Sequence, residues 1–133
     1  PKIIHQSSAT GMQAIPTTGI AMGIKFKEKT SLEKPKKNFE PVVVCSMGDA
    51  SITEGEVAEA FQMASLKQLP ILFLVQDNEW DISAYSDETR VCNAHEYSKG
   101  FGLKSYSIDG TNFIKCFNTV EKILKKIRKD RNQ

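Results

Sequence analysis

The stretch VVVCSMGDASITEGEVAEAF, residues 42–61, contains the features that decide the fold. Residues 42–45 form a short continuous apolar run, which predicts a strand buried on both faces. A helix is predicted from Glu54 onward, because apolar side chains recur there at helical spacing, at Val57, Ala60, Phe61 and Ala64. Between them lies Gly48-Asp49-Ala50. A connection that only joined a strand to a helix would not favour an unpaired Asp at this corner.

The rest of the chain alternates helices with strands. Residues 12–26 predict a tightly packed helix with Pro16 in its first turn, where a missing N–H is harmless. ILFLV, residues 71–75, predicts a second buried strand. After it come a short helix over residues 95–101, a third strand over 104–108 and a final amphipathic helix, whose apolar face is Phe113, Phe117, Val120, Leu124 and Ile127.

This order predicts an α/β fold, with a mainly parallel sheet flanked by helices in three layers. Thr53 and Glu56 match a capping box at the start of the second helix. The charged tract over residues 25–40 is expected to be an exposed connection, with or without a short helix.

Composition limits the class of protein. The chain has 133 residues, 40% apolar and 26% charged, and is expected to form one domain that is a piece of a longer polypeptide. A net charge of +2 does not indicate nucleic-acid binding, and no apolar run approaches the ~20 residues of a membrane span. Three widely spaced cysteines do not make a disulfide framework, so a cytoplasmic location is expected.

Polar residues follow the first two predicted strands. Ligands bind beyond the carboxyl ends of parallel strands, and adjacent strands would bring Asp49 close to Asn78. A carboxylate and a carboxamide oxygen suit Mg²⁺, which proteins hold through few side chains together with substrate phosphates. Gly48 and Ala50 leave room for a phosphate near the N-terminus of the next helix. The alternative is that Asp49 is only a helix cap or turn residue.

The segment GDASITEGEVAEAFQMASLKQLPILFLVQDNEWDIS, residues 48–83, resembles the cofactor motif of thiamine-diphosphate enzymes, a Gly-Asp-Gly followed some thirty residues later by Asn. Asn78 lies 29 residues after Asp49. TEGEVAEAFQMASLKQLPILFLVQDN followed by IS is similar, more narrowly, to the alpha subunit of the 2-oxoacid dehydrogenase decarboxylating component, which includes the branched-chain, pyruvate and acetoin enzymes. ATGMQAIPTTGIAMG, residues 9–23, resembles the segment before that motif.

The resemblance implies a site for thiamine diphosphate and Mg²⁺. The Asp49 and Asn78 side chains and the Trp80 carbonyl would be the metal ligands. The diphosphate would be lined by Gly48, Ala50 and Ser51, and the pyrimidine would meet the backbone of Ala9 and Gly11. No catalytic acid or base is expected within this chain.

Some positions depart from the family pattern. Ala50 replaces the usual second glycine, Asp77 stands where many relatives have Asn, and Glu79 stands where Gly is common. Gln76 occupies a position where some relatives carry an arginine that reaches the diphosphate. Asp77 and Glu79 add negative charge beside a polyanion.

The implied function is oxidative decarboxylation of a 2-oxoacid, preferably a branched-chain one such as 2-oxoisovalerate, with acyl transfer to a lipoyl group. A beta subunit, or a beta half of the same chain, would complete the cofactor site, and a lipoyl-bearing acyltransferase would accept the product. The family's tyrosine–arginine segment, its catalytic histidine and the activating glutamate of the beta subunit are not found here. The alternatives are a pyruvate or acetoin enzyme, a transketolase relative and a non-catalytic module with this fold.

Other polar groups favour structural roles. His5 lacks a matching partner nearby, and His95 is expected to begin a helix. Glu54 and Glu56 are expected to be charges at a helix N-terminus. The basic end of the chain follows one face of the last helix, so a solvated helix end is expected there.

Overall fold

The computed structural model describes residues 2–5, 7–30 and 40–132. Two strands, β1 (Val43–Gly48) and β2 (Ile71–Gln76), pair in parallel with Val43 opposite Ile71. The helices are α1 (Ala14–Thr30), α2 (Gly55–Lys67), α3 (Ser86–Thr89), α4 (Ala94–Lys99) and α5 (Phe113–Asp130). The predicted α/β class, a parallel sheet flanked by helices, is confirmed.

The core lies between α1, α2 and one face of the sheet. Its centre is Phe61 of α2, whose ring lies 4.7 Å from that of Phe73 on β2 and 5.8 Å from that of Phe101. Cys45 and Met47 of β1 are buried on the same side. Apolar side chains from α1, α2 and both strands meet here, so the β1–α2–β2 unit, residues 43–76, shares one core with α1 and with residues that follow β2.

The prediction that the strands are buried on both faces is wrong. Burial alternates along β1, where Cys45 and Met47 are buried but Val44 is 49% exposed. Leu74 of β2 is 37% exposed. Helices α1 and α2 cover one face, and the face that carries Val44 and Leu74 stays partly open.

The third predicted strand does not form. Residues 104–108 have no strand pairing, and a cavity of about 900 Å³ lies between this segment, β2 and α5. The Ser105 hydroxyl donates to the His95 carbonyl at 3.0 Å, which ties the segment to α4. The segment thus has a side-chain hydrogen bond to a helix where the predicted strand would have a backbone ladder.

Two local predictions also need correction. The N-cap of α2 is Glu54 and has no side-chain capping bond, so the Thr53–Glu56 capping box is wrong. The Thr53 hydroxyl instead donates to the Ala50 carbonyl at 2.9 Å, because a 3₁₀ turn over Asp49–Thr53 precedes the helix. Residues 25–30 belong to α1 rather than to a connection, and residues 31–39 lie outside the described residues.

The remaining helices agree with the sequence in kind. Pro16 lies in the first turn of α1, and α4 and α5 form where short and long helices were predicted. The short α3 was not predicted. Among the described helices, none has both the length and the apolar character that a membrane span needs.

Candidate functional site

The carboxyl ends of β1 and β2 lie side by side. Gly48 ends β1 in an extended conformation, with φ −77° and ψ 163°, and Asp49 opens the 3₁₀ turn that leads to α2. The Asp49 side chain is almost fully buried, at 4% exposure. Gln76 ends β2 opposite Gly48, so the loop that begins at Asp77 starts beside Asp49. The parallel pairing brings the two loops together, as the strand order predicted.

One backbone N–H joins the two loops. Glu79 donates to Asp49 Oδ2 at 3.1 Å and to Asp77 Oδ1 at 3.0 Å. Glu79 has a φ of +65°, the left-handed region in which side chains are disfavoured. This conformation turns its N–H toward both carboxylates. It also gives a physical reason for the glycine that is common at this position in the family, because glycine adopts it without strain.

Asn78 and Trp80 lie on the same loop but are more exposed than Asp49. The Trp80 N–H donates to Asn78 Oδ1 at 2.9 Å, which fixes the carboxamide in a tight local turn. Trp80 is 55% exposed, and its ring meets that of Tyr85 edge-on at 5.2 Å. Among the described residues no hydrogen bond joins Asn78 directly to Asp49, and the loop is tied to Asp49 by the N–H of the next residue, Glu79.

The predicted diphosphate residues surround the 3₁₀ turn. Ser51 is buried and its carbonyl accepts the Glu54 N–H at 3.2 Å, whereas Ala50 is half-buried. A Cβ added at Gly48 would meet no atom within 4 Å. Neither local conformation nor packing therefore requires glycine at Gly48, and the space beside it is open.

Gly11 lies next to the start of α2, and Ala9 lies just before it in the same segment. Gly11 has a φ of +78°, and a Cβ there would come within 2.9 Å of Glu54 Cβ. Ala9 is exposed, and its carbonyl accepts the Met12 N–H at 3.3 Å. Gln13 Nε2 donates to the Ser46 carbonyl at 3.2 Å, which ties the beginning of α1 to β1. The predicted pyrimidine segment thus flanks the helix that follows Asp49.

Arg90 is the residue that sequence reasoning missed. Its guanidinium is 5% exposed and forms an ion pair with Asp49, with further contacts to Asp77 at 3.4 Å and Asp81 at 3.3 Å. A signal was present, since Arg90 is the only Lys or Arg between residues 68 and 98, in a stretch rich in Asp and Glu. A single cation in such a segment is expected to be paired when it is buried.

The electrostatics of the two adjacent carboxyl groups differ. Burial raises the pKa of Asp49, but the hydrogen bonds with Asp77 and Arg90 outweigh it, so the net pKa of Asp49 is lowered. Burial and the hydrogen bond with Asp49 raise the pKa of Asp77. Asp49 is therefore the group that stays ionised, and Asp77 is the one that takes up a proton first.

The carboxylates of Asp49, Asp77 and Asp81 surround the guanidinium of Arg90. In the described part of the chain, no three His, Cys, Asp or Glu side chains are grouped so that they could hold a metal among themselves. A cation at Asp49 would therefore need ligands of other kinds. The loop offers two, the Asn78 carboxamide oxygen and main-chain carbonyls.

The profile of one protein family, described as "Dehydrogenase E1 component", matches residues 1–133. The chain belongs to this family. This E1 chain is 27% identical over 112 residues to "Pyruvate dehydrogenase E1 component subunit alpha" of Rickettsia prowazekii, a match that covers 84% of the chain and 32% of the relative.

Two further relatives broaden the comparison. "Pyruvate dehydrogenase E1 component subunit alpha" of Porphyra purpurea is 31% identical over 88 residues, 65% of this chain and 26% of that protein. "3-methyl-2-oxobutanoate dehydrogenase subunit alpha" of Mycobacterium tuberculosis is 29% identical over 108 residues, 80% of this chain and 27% of that protein. The chain therefore spans about a third, or less, of the length of these curated relatives.

Proposed function

We propose that this chain supplies the metal- and diphosphate-binding part of a thiamine-diphosphate site in the alpha component of a 2-oxoacid dehydrogenase. The observation that carries the proposal is the buried Asp49 carboxylate at the end of β1, bonded to the Glu79 N–H of the loop after β2. A buried carboxylate is stable only beside a cation, here Arg90, and the carboxyl ends of parallel strands are where ligands bind.

The donor chemistry fits Mg²⁺ with a diphosphate. Asp49 and Asn78 would contribute side-chain oxygens and Trp80 its carbonyl, which leaves positions for diphosphate oxygens. Gly48 supports this assignment, because it borders open space and no packing contact accounts for the missing side chain. Ala50 and Ser51 would line the diphosphate, and Ala9 and Gly11 would lie toward the pyrimidine.

When bound, thiamine diphosphate would supply the electron sink for loss of carbon dioxide from a 2-oxoacid. The residues of this chain would bind and orient the diphosphate end, and none is assigned as an acid or base. We infer that a beta subunit, or a beta half of the same parent chain, completes the site. A lipoyl-bearing acyltransferase would take the acyl group.

Calorimetric titration of thiamine diphosphate tests the proposal, using the full chain assembled with its beta partner, with and without Mg²⁺. Asp49→Asn keeps the size of the side chain but removes its charge. We expect Mg²⁺-dependent binding that weakens by at least ~tenfold in this variant. Asp109→Asn, which changes an exposed turn residue, is the matched control and should bind as the wild type does. Equal affinity in Asp49→Asn and wild type would refute the assignment.

Two substrates are candidates, each favoured by an observation. The sequence resemblance favours a branched-chain 2-oxoacid, and a relative named 3-methyl-2-oxobutanoate dehydrogenase supports it. The relatives named pyruvate dehydrogenase favour pyruvate. The ratio of kcat/KM for 3-methyl-2-oxobutanoate and pyruvate in the assembled enzyme decides between them. An assembled enzyme that binds the cofactor but turns over neither would favour a non-catalytic module.

A further inference from the structure

Arg90 already occupies the carboxylate to which the proposed function assigns a metal ion. Its Nη2 pairs with Asp49 Oδ2 and lies 3.4 Å from Asp77 Oδ1, while its Nη1 lies 3.3 Å from Asp81 Oδ1. Arg90 and Asp49 are both about 95% buried, with side-chain exposures of 5% and 4%. Such a pair neutralises charges that would be costly to bury alone.

We propose that Arg90 is an internal counter-cation of Asp49, which a divalent metal replaces only when a diphosphate arrives with it. This inference rests on the proposed function, because it takes Asp49 as a metal ligand. A guanidinium keeps its proton throughout the physiological pH range, so it leaves Asp49 only by moving. A metal ion and a guanidinium on the same carboxylate oxygen would repel each other.

The geometry lets Arg90 release Asp49 without losing all its partners. The backbone of Arg90 is fixed by its N–H, which donates to the Ser86 carbonyl at 3.0 Å at the end of α3. Nη1 is directed to Asp81 independently of Asp49. Because the guanidinium is a rigid plane, it would turn as a unit about its contact with Asp81, which would free the Asp49 oxygen while Asp81 still holds the side chain.

The diphosphate accounts for the dependence on a second ligand. A free metal ion brings two positive charges and no new partner for Arg90, whereas a diphosphate brings oxygens that a guanidinium binds well. Metal alone must therefore compete with Arg90, and metal with diphosphate need not. Binding of the two ligands is expected to be coupled by a factor in the ~5–150 range that is usual for linked sites.

Equilibrium dialysis of the full chain against Mn²⁺, with and without inorganic pyrophosphate, tests this coupling. We expect pyrophosphate to tighten Mn²⁺ binding to the wild type at least ~tenfold. In Arg90→Gln, Mn²⁺ alone should bind at least ~tenfold more tightly than in wild type, and the pyrophosphate effect should shrink. Arg90→Lys, which keeps the charge, should restore the dependence on pyrophosphate.

Two controls identify the site and the charge. Asp49→Asn should abolish binding in both arms. Arg131→Gln removes another paired guanidinium, one that bonds Glu28 and the Pro41 carbonyl, and should behave as wild type. A purely structural Arg90 would lower the stability of Arg90→Gln but leave the dependence on pyrophosphate unchanged.

The outcomes separate this inference from the proposed function. Suppose that wild type and Arg90→Gln bind Mn²⁺ alone with equal affinity and that Asp49→Asn does not bind it. This result would overturn the role of Arg90 and leave the metal site standing. Mn²⁺ binding that is unchanged in Asp49→Asn, or that is absent in every protein and condition, would overturn both the role of Arg90 and the proposed function.

If Arg90→Gln does not fold, the wild type still gives a test through the Nε–H signal of Arg90 in ¹⁵N NMR. This signal should shift with Mg²⁺ and pyrophosphate together but not with Mg²⁺ alone. An unchanged signal with both ligands, or a full shift with Mg²⁺ alone, would overturn the inference.

Discussion

The β1–α2–β2 unit and the C-terminal region, residues 103–132, contain similar apolar patterns but use them differently. In the first, Phe61 is 1% exposed and meets three aromatic rings. In the second, α5 carries an apolar face, yet Phe113 and Phe117 are 73% and 57% exposed and only Ile127 is buried. Helical periodicity thus predicts that a helix forms, whereas the burial of its apolar face depends on which residues pack against that face.

The largest expected contrast comes from the same substitution in both regions. Phe61→Ala removes a ring from the core, where large-to-small changes of Phe cost about 3–5 kcal/mol in the free energy of unfolding. Phe117→Ala removes a largely exposed ring and should change this free energy by less than about 0.5 kcal/mol. Urea unfolding of both variants measures the difference. Similar losses would mean that α5 is as tightly packed in solution as α2.

The sequence predicted the parallel sheet and the meeting of its two loops because these depend on local patterns and strand order. It did not predict the missing third strand. Ser105 bonds to His95 across ten residues, and no periodicity reveals a contact of that kind. Arg90 was missed for a related reason, since its partner Asp49 is 41 residues away. Tertiary pairing of single polar side chains is the part that a single sequence leaves open.

Glycine substitutions give the next contrast. Gly11→Ala places a side chain at φ +78° and within 2.9 Å of Glu54 Cβ, so we expect a loss of about 1–3 kcal/mol in the free energy of unfolding. Gly110→Ala, in the C-terminal region, meets no atom within 4 Å and should be neutral or stabilising by up to about 1 kcal/mol. Thermal unfolding followed by circular dichroism compares the two. A loss in Gly110→Ala equal to that in Gly11→Ala would show that the turn at 110 is more tightly constrained than its open surroundings indicate.

The reactivity of Cys45 and Cys116 provides a smaller contrast. Cys45 is buried in β1, and burial raises the pKa of its thiol more than a hydrogen bond with Thr17 lowers it. Cys116 on α5 is only half-buried. A maleimide should therefore modify Cys45 at least ~tenfold more slowly, since each 1.4 kcal/mol of opening free energy gives a factor of ten. Peptide mass spectrometry over time measures both rates, and Cys92→Ala removes the third thiol.

The raised pKa of Cys45 also predicts how the stability of the folded state changes with pH. The unfolded thiol ionises near pH ~8.5, and the folded one ionises only at higher pH. The folded state thus binds more protons above that value, and its stability should fall as the pH rises from about 8.5 through the folded pKa. Cys45→Ala should lose less stability than wild type over the same range. Parallel pH profiles for the two proteins would contradict this assignment.

The smallest effect concerns two aspartates whose pKa values are lowered for different reasons. For Asp49, burial opposes ionisation, and Asp77 and Arg90, both distant in sequence, reverse its effect. For Asp109, the Thr111 hydroxyl and N–H donate to the carboxylate at 2.7 and 2.9 Å within one turn. Thr111→Ala should therefore raise the pKa of Asp109 toward its ordinary value, as ¹³C NMR of the carboxyl group would measure.

Because that turn is local, a peptide of residues 107–113 should retain part of the lowered pKa of Asp109, whereas no short peptide can reproduce the contacts of Asp49. In the folded chain, stability from Asp109 is present above the unfolded pKa of ~3.9 and lost as the pH falls through the folded value. The loss should be small because the group is exposed. The pKa of Asp109 in the chain can be followed through urea unfolding and compared with that in the peptide. If it becomes ordinary at a urea concentration at which the peptide still keeps its lowered pKa, then α5 supports the turn. The C-terminal region would then be less independent than its packing indicates.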